Sequence, residues 1–309
     1  MKEGMAIEPQ ATDELRRLLG GRVRFDEPMS KHTSLRVGGP ADAMARPGTR
    51  AEVVALLDLC RSRELRVCIL GGGFNTIVPD SGISAVVLRL LDLHAIDQHE
   101  NAIVAAEAGA THSSVMRFCS DRGLSGLEFA VGIPGTVGGW VAMNAGIGTR
   151  EMKDVVASIE SIDLSTGEHR VTDAEELRFG YRALEAPGDV VLLGARFHTT
   201  PADPQEIRER MKSLMSERRK KQPVDKLSCG SVFKNPPGDY AGRLIQAAGL
   251  KGLRCGGAEI SSLHANFIVN LGGATASDVF HLIDRAREEV ARQFNLELEP
   301  EVQVLGEDL

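Results

Sequence analysis

Apolar residues recur along this 309-residue chain with two periods, and each change of period marks an element. In "GTRAEVVALLDLCRSREL", Val53, Leu56, Leu57 and Cys60 share a helical face, with Thr49 and Glu52 at capping-box spacing. "RVCIL" then predicts a short buried strand that runs straight into Gly71, Gly72 and Gly73. "ISAVVLRL" and "NAIVAAEA", separated by the polar turn "DQHEN", predict strands of a second unit, and "THSSVMRFCSDRG" predicts a helix. "VVASIESIDL" and "VVLLGARFHTT" are strand-like, with "FGYRALEAPGD" between them. Helical period returns in "DPQEIRERMKSLMSERRKK", where Ile207, Met211, Leu214 and Met215 share a face, and this charged helix bridges into a C-terminal unit. That unit contains "DYAGRLIQAAGLKG", the strand "ANFIVN" and the helix "TASDVFHLIDRAREEVARQF". In "LELEPEVQV", Glu297, Glu299, Glu301 and Gln303 alternate with Leu298 and Val302, so a terminal strand there can aim one carboxylate into a cleft. Boundaries fall near 83 and 205.

One segment fits neither period. "GLSGLEFAVGIPGTVGGWVAMNAG", residues 123 to 146, has too many glycines for a stable helix interior and too much apolar content for a solvated linker. It is expected to be buried against something flat. Composition narrows the function classes: 43 acidic against 36 basic residues, a net charge of -7 and 4% aromatics predict no general affinity for nucleic acid or anionic membrane. The N-terminal stretch lacks a signal-peptide core and no apolar run approaches a membrane span, so a cytoplasmic protein is expected. Five cysteines with no CxxC pair disfavour disulfides and thiolate metal sites, and the scattered histidines form no metal-ligand triad.

The chemistry-bearing candidates are individually ambiguous. Leu70, Gly71, Gly72, Gly73, Phe74 and Asn75 make a strand-to-glycine turn that can present N–H groups to an anion or serve as an ordinary tight turn. The glycines are consecutive and no helix clearly follows, which disfavours a Rossmann dinucleotide fold. A second backbone-rich loop, Gly132, Ile133, Pro134, Gly135, Thr136, Gly138 and Gly139, leads to Asn144; without other evidence it reads as a crossover between strands. Arg182 stands among apolar and aromatic neighbours, where a structural salt bridge is the ordinary reading. Ser231, in "CGSVFKNP", lies in no GxSxG elbow, and Cys229 beside it reads as a small buried residue.

Taken in order, "RVGGPAD", "LGGGFN", "GLSGLEFAVGIPGTVGG", "MNAG", "FGYR", "GSVFKNP", "AGLKG", "GGAEISSLHANFIVN" and "LEPEV" closely resemble the UDP-N-acetylenolpyruvoylglucosamine reductase family over nearly the whole chain. The resemblance implies an α+β protein. Its FAD-binding part would be a two-subdomain fold of the vanillyl-alcohol-oxidase-like type, residues 1–82 and 83–204, followed by an α+β substrate domain, 205–309. It also implies noncovalent FAD, held by the two glycine loops and Asn144, with NADPH as hydride donor and UDP-N-acetylglucosamine enolpyruvate as substrate. No metal and no obligate protein partner are implied. Arg182, Ser231 and Glu301 would sit at the reacting end, and Tyr181, Lys221, Asn235 and His264 at substrate or nicotinamide contacts, with Lys220 and Lys226 as alternatives to Lys221. The short "ALEAPGDV" leaves no room for a substrate-covering tyrosine loop, which resembles the family's loop-lacking type. Trp140 is bulkier than the family's usual residue after "TVGG", and "GIGTR" replaces a tyrosine-containing segment. A nucleotide-sugar-binding protein without turnover, or a sugar oxidase of similar cofactor architecture, are the rival classes; the first is disfavoured by Arg182, Ser231 and Glu301, the second by the C-terminal motifs.

Overall fold

The computed structural model describes residues 7–185 and 189–306, so "ALEAPGDV" lies partly outside the described residues. The chain forms two compact units that interleave in sequence. One takes its residues from the stretches up to Phe25, Ala43–Gly72 and Ala85–Glu217; the other is built from Asp26–Asp42, Gly73–Ser84 and the chain from Arg218 onward.

In the first unit the helix Arg50–Ser62 forms as its pattern predicts. Thr49 Oγ1 accepts from Glu52 N at 3.2 Å, and Val53, Leu56, Leu57 and Cys60 are all buried. The strand Val67–Ile69 pairs in parallel with Ile83–Leu88, through Val67 opposite Val86. It is the sheet's edge strand, which is why only Cys68 of its three residues is fully buried while Ile69 is exposed. "DQHEN" is not a simple turn: Ile96–His99 forms a strand antiparallel to Ile103–Glu107, and its side chains stay largely solvated because it ends a five-stranded sheet. That sheet runs in the order His169–Asp173, Val156–Asp163, Val190–His198, Ile103–Glu107, Ile96–His99. Its central strands are buried on both faces. Leu192, Ala195 and Phe197 join one apolar cluster, whereas Val191 and Leu193 join another. The alternation shifts at a bulge, where the partners of Glu160 and Ser161 step from Gly194 to Leu192 and leave Leu193 as the extra residue.

The glycine-rich segment packs on this sheet, and it contains a helix after all. Val137–Ala142 is helical despite Gly138 and Gly139, because tertiary packing outweighs intrinsic propensity. A Cβ on Gly138 would lie 3.1 Å from the Ala108 Cβ, while Val137 N and Gly138 N both donate at 2.9 Å to the carbonyls of Ala110 and Ala108. The helix is therefore sealed directly onto the strand end. Trp140 is fully buried and its indole Nε1 donates to Ile133 O at 3.1 Å, so the bulky residue fills the core and fastens the turn before it.

The second unit is organised by an antiparallel sheet in the order Leu227–Ser231, Phe267–Asn270, Ala258–Ile260, Arg254–Cys255. The helix Ala276–Phe294 covers it with Val279, Leu282, Ile283, Ala286 and Val290, and starts at a reciprocal cap between Thr275 and Asp278. The expected terminal strand is only Gln303–Val304, parallel to Thr76–Ile77. Its alternation holds nonetheless: Leu298 and Val302 are buried and Glu297 and Glu299 face solvent. The charged helix Pro204–Lys221 buries Ile207, but Leu214 is exposed, so its apolar face is narrower than the period suggests.

Trp140→Ala is expected to lower unfolding free energy by about 3–5 kcal/mol, and Trp140→Phe by about 1–2 kcal/mol through the orphaned Ile133 carbonyl. Urea midpoints of the purified variants measure both.

Candidate active site

The first glycine loop leaves the Val67–Ile69 strand and spans both sequence divisions. Leu70 is buried, with its N–H bonded to Leu88 O, and the Gly71 carbonyl accepts from Arg89 Nη2 at 3.1 Å. Arg89 is a buried cation in the run "VVLRLL"; burial lowers its pKa to about 10, which leaves it charged at neutral pH. Gly73 admits no side chain: its φ is 76°, and a Cβ would lie 1.9 Å from His32 O. Phe74 is exposed, and Asn75 takes the left-handed conformation at φ 56°.

The second loop meets the first within one unit. A Cβ on Gly71 would lie 3.0 Å from Thr136 Oγ1 and 4.0 Å from the Gly139 backbone, so the two glycine segments run face to face. Gly135, by contrast, borders open space. Ile133 and Pro134 carry the turn that Trp140 fastens, and Thr136 precedes the short helix without capping it through its side chain. The Asn144 side chain is wholly buried and bonded to protein: Nδ2 donates to Glu151 Oε2 and Gly180 O, each at 3.0 Å, and Oδ1 accepts from Lys153 N at 3.0 Å.

Ser231 and Glu301 share the second unit. Ser231 ends the Leu227–Ser231 strand opposite Phe267, beyond an irregularity in register after Ser228. Glu301 N donates to Val232 O at 2.8 Å, one residue from Ser231. Asn75 ties the glycine loop to both: its N–H bonds Cys229 O at 3.2 Å, and its Nδ2 donates to Glu301 O at 3.1 Å. Asn266, whose role the sequence did not single out, is buried and clamps the residues after Ser231, accepting from Phe233 N at 2.9 Å and donating to Phe233 O at 2.8 Å.

Arg182 belongs to the first unit. The strands Arg178–Gly180 and Ala183–Glu185 pair antiparallel, so Tyr181 and Arg182 form a two-residue hairpin turn, with Arg182 at φ 56°. Its guanidinium lies 3.8 Å from Glu151 Oε1, donates to Gly146 O at 3.3 Å and stands 5.2 Å from the Tyr181 ring centroid.

Two sequence families match the chain: an FAD binding domain over residues 41–173, and the C-terminal domain of UDP-N-acetylenolpyruvoylglucosamine reductase over residues 222–305. The enzyme of that name from Moorella thermoacetica is 44% identical over 298 residues, 96% of this chain and 97% of its own. The crystal structure of UDP-N-acetylenolpyruvylglucosamine reductase from Thermus caldophilus covers 90% of this chain and 97% of its own, at 38% identity and a TM-score of 0.78. The chain belongs to the UDP-N-acetylenolpyruvoylglucosamine reductase family. An alkyldihydroxyacetonephosphate synthase structure, 17% identical with a TM-score of 0.50 over 63% of this chain, shares the fold alone. The fold class is thus α+β with a vanillyl-alcohol-oxidase-like FAD domain.

For a member of this reductase family, the residues present fit FAD. Two glycine segments expose backbone toward each other, Gly135 borders open space, and the charge of Arg89 is held beneath the first loop, where an anionic group is favoured. Among the described residues no group of His, Cys, Asp and Glu is placed to hold a metal ion.

The other candidates of the family site lie in the second unit, apart from the half-exposed Tyr181. Lys221 is exposed at the end of the Pro204–Lys221 helix, as is Lys220; Lys226 follows in the next turn. Arg218, which sequence reasoning passed over in a run of bases, has two orphaned buried donors. Its Nε and Nη1 have no hydrogen-bond partner among the described residues, and burial lowers its pKa to about 10. Asn235 Oδ1 accepts from Ala241 N at 3.1 Å and so starts the Ala241–Ala247 helix. Cys229 is buried, and burial pushes its thiol up to about 12, which makes it a packing residue rather than a nucleophile.

His264 packs edge-on to Phe267 and accepts from Asn266 N through Nδ1 at 3.2 Å. Burial, with Lys251 adding to it, lowers its pKa below the ordinary 6.5. The unfolded chain therefore binds the proton more readily, so this contribution to stability is complete above pH 6.5 and lost as pH falls toward the depressed value. Urea midpoints should fall between pH 7.5 and 5.5, and His264→Gln should flatten part of that slope.

Proposed function

We propose that this protein reduces UDP-N-acetylglucosamine enolpyruvate to UDP-N-acetylmuramate, with NADPH as hydride donor and noncovalent FAD between them, in peptidoglycan precursor synthesis. Family membership over nearly the whole chain supports the reaction. The observation that carries the site is the double tie of Asn75, which joins the glycine loop to the strand of Ser231 and to Glu301. In this reading 1–82 and 83–204 are the FAD-binding subdomains and 205–309 binds substrate, with Tyr181, Lys221, Asn235 and His264 at substrate or nicotinamide contacts. In this reading the protein works in the cytoplasm. Among the described residues no helix is long and apolar enough to cross a membrane.

Bound FAD supplies a hydride relay from NADPH to the terminal carbon of the enolpyruvyl double bond. Negative charge then develops across C2 and the substrate carboxylate. A group that meets this charge only as it forms stabilises the transition state more than the ground state. Arg182 suits that task because a guanidinium presents several N–H donors in a fixed planar fork that matches a carboxylate. Ser231 donates its hydroxyl proton to C2, completing the lactyl group. A serine hydroxyl is a weak acid, so the step relies on a site shielded from water and a strongly basic carbon. Glu301 acts as a protonated donor or orients one, since a bare carboxylate would oppose the developing charge.

Acid precipitation should release a yellow compound that runs with FAD; flavin retained in the pellet, or a protein that takes up no flavin on reconstitution, contradicts the noncovalent assignment. In anaerobic stopped flow, Arg182→Ala should slow flavin reoxidation by the enolpyruvyl substrate about a hundredfold, the equivalent of ~3 kcal/mol, and spare reduction by NADPH. Ser231→Ala should likewise keep FAD and its reduction while losing most substrate reduction. The wild-type solvent isotope effect should be confined to the substrate half-reaction. Near-normal turnover in folded, flavin-loaded Ser231→Ala would remove the proton-donor role.

A further inference from the structure

Arg182 is placed by an unusual local arrangement. It is a non-glycine residue in the left-handed region, a conformation that L side chains rarely adopt. The turn that carries it is anchored from below: Asn144 Nδ2 donates to Gly180 O, the last carbonyl before the turn, and also to Glu151 Oε2. The other oxygen of Glu151 faces the Arg182 guanidinium at 3.8 Å, while Gly146 O accepts from its Nη2. Gly146 and Glu151 are themselves opposite each other in a short antiparallel pair. A side chain on Gly146 would collide with that pairing, since a Cβ would lie 2.3 Å from Arg150 O and 2.7 Å from Glu151 Cγ.

We infer that Glu151 is a positioning residue for Arg182, held in place by Asn144, and that this trio sets where the guanidinium meets the substrate's developing charge. The inference rests on the role given to Arg182 above. Glu151 touches no substrate in this scheme. Its carboxylate, about one-fifth exposed, also pairs with Lys153 Nζ at 2.8 Å and takes part in a reciprocal cap with Asp154. Two cations and fixed donors thus hold it in one orientation. Asn144 spends both N–H groups of its amide on Glu151 and Gly180, and its Oδ1 accepts from Lys153 N, so its side chain is fixed by protein contacts.

A merely structural Glu151 would affect both half-reactions through folding or flavin loading; a positioning Glu151 affects only the step that uses Arg182. Glu151→Gln preserves the shape and an acceptor for Asn144 while removing the charge, and Glu151→Ala removes both. In flavin-loaded protein, Glu151→Ala is expected to slow reoxidation by the enolpyruvyl substrate about tenfold or more, and Glu151→Gln less, with NADPH reduction changed by less than about twofold. In an Arg182→Ala background neither substitution should slow the step further, because residues acting as one unit are not additive. A second readout is independent of turnover: with 15N-arginine labelling, the Arg182 Nε–H resonance, assigned through Arg182→Lys, should shift and sharpen in Glu151→Ala. An unmoved resonance, full additivity with Arg182→Ala, or equal slowing of both half-reactions would overturn the positioning role. If Arg182→Ala instead spares the substrate half-reaction, the role of Arg182 fails, while the resonance still reports whether Glu151 holds it.

Discussion

Asn75 bonds in three directions from a single left-handed residue, and the candidate site depends on it. Its N–H reaches the carbonyl of Cys229, its carbonyl receives the N–H of Gln303, and its side chain holds the carbonyl of Glu301. These groups lie more than 150 residues from Asn75 in the chain, and the bond to Gln303 extends the short parallel pairing of Gln303–Val304 with Thr76–Ile77. The preceding Gly73 makes the geometry possible by passing within a side chain's width of the His32 carbonyl. A larger residue at 73 would lift the loop and loosen both the Ser231 strand and the Glu301 segment.

A buried amide does the corresponding work in the other unit. Asn144 gathers a hairpin carbonyl, a carboxylate and a backbone N–H, and through them fixes the turn of Arg182. Hydrogen-bonded amides suit such junctions because they carry donors and an acceptor without a charge to desolvate. Asn266 repeats the device beside Ser231, satisfying both backbone groups of Phe233. The candidate site residues are thereby carried on short strands and turns whose backbone is pinned by neighbours rather than on free loops, which keeps them close to one geometry.

Buried arginines mark where anions are favoured. Arg89 lies beneath the first glycine loop, bonded to its carbonyl, and Arg218 keeps two donors that no described residue satisfies. Both remain charged at neutral pH even after burial lowers their pKa to about 10. A phosphate or carboxylate is the natural complement to such a group. Cys229 is the contrasting case: burial pushes its thiol up to about 12, out of the reactive range, leaving Ser231 as the hydroxyl of interest in that strand.

Local pattern alone determined the elements whose own residues carry the instructions. Thr49 and its apolar stripe, Thr111 at the head of the His112–Arg122 helix, and the capped Ala276–Phe294 helix all formed as written, because capping and period act over one or two turns. The ordered motifs also carried the family, and with it FAD. Pattern could not decide the helix at Val137–Ala142, where packing on a strand end overrides glycine propensity, nor the edge positions of Val67–Ile69 and Ile96–His99, which depend on what pairs beside them. The interleaving of the two units, the buried charges of Arg89 and Arg218, and the ties made by Asn75, Asn144 and Asn266 were likewise decided only in three dimensions. Each arises from a hydrogen bond or burial between residues far apart in sequence, and neither spacing nor composition records which distant backbone a side-chain amide will find.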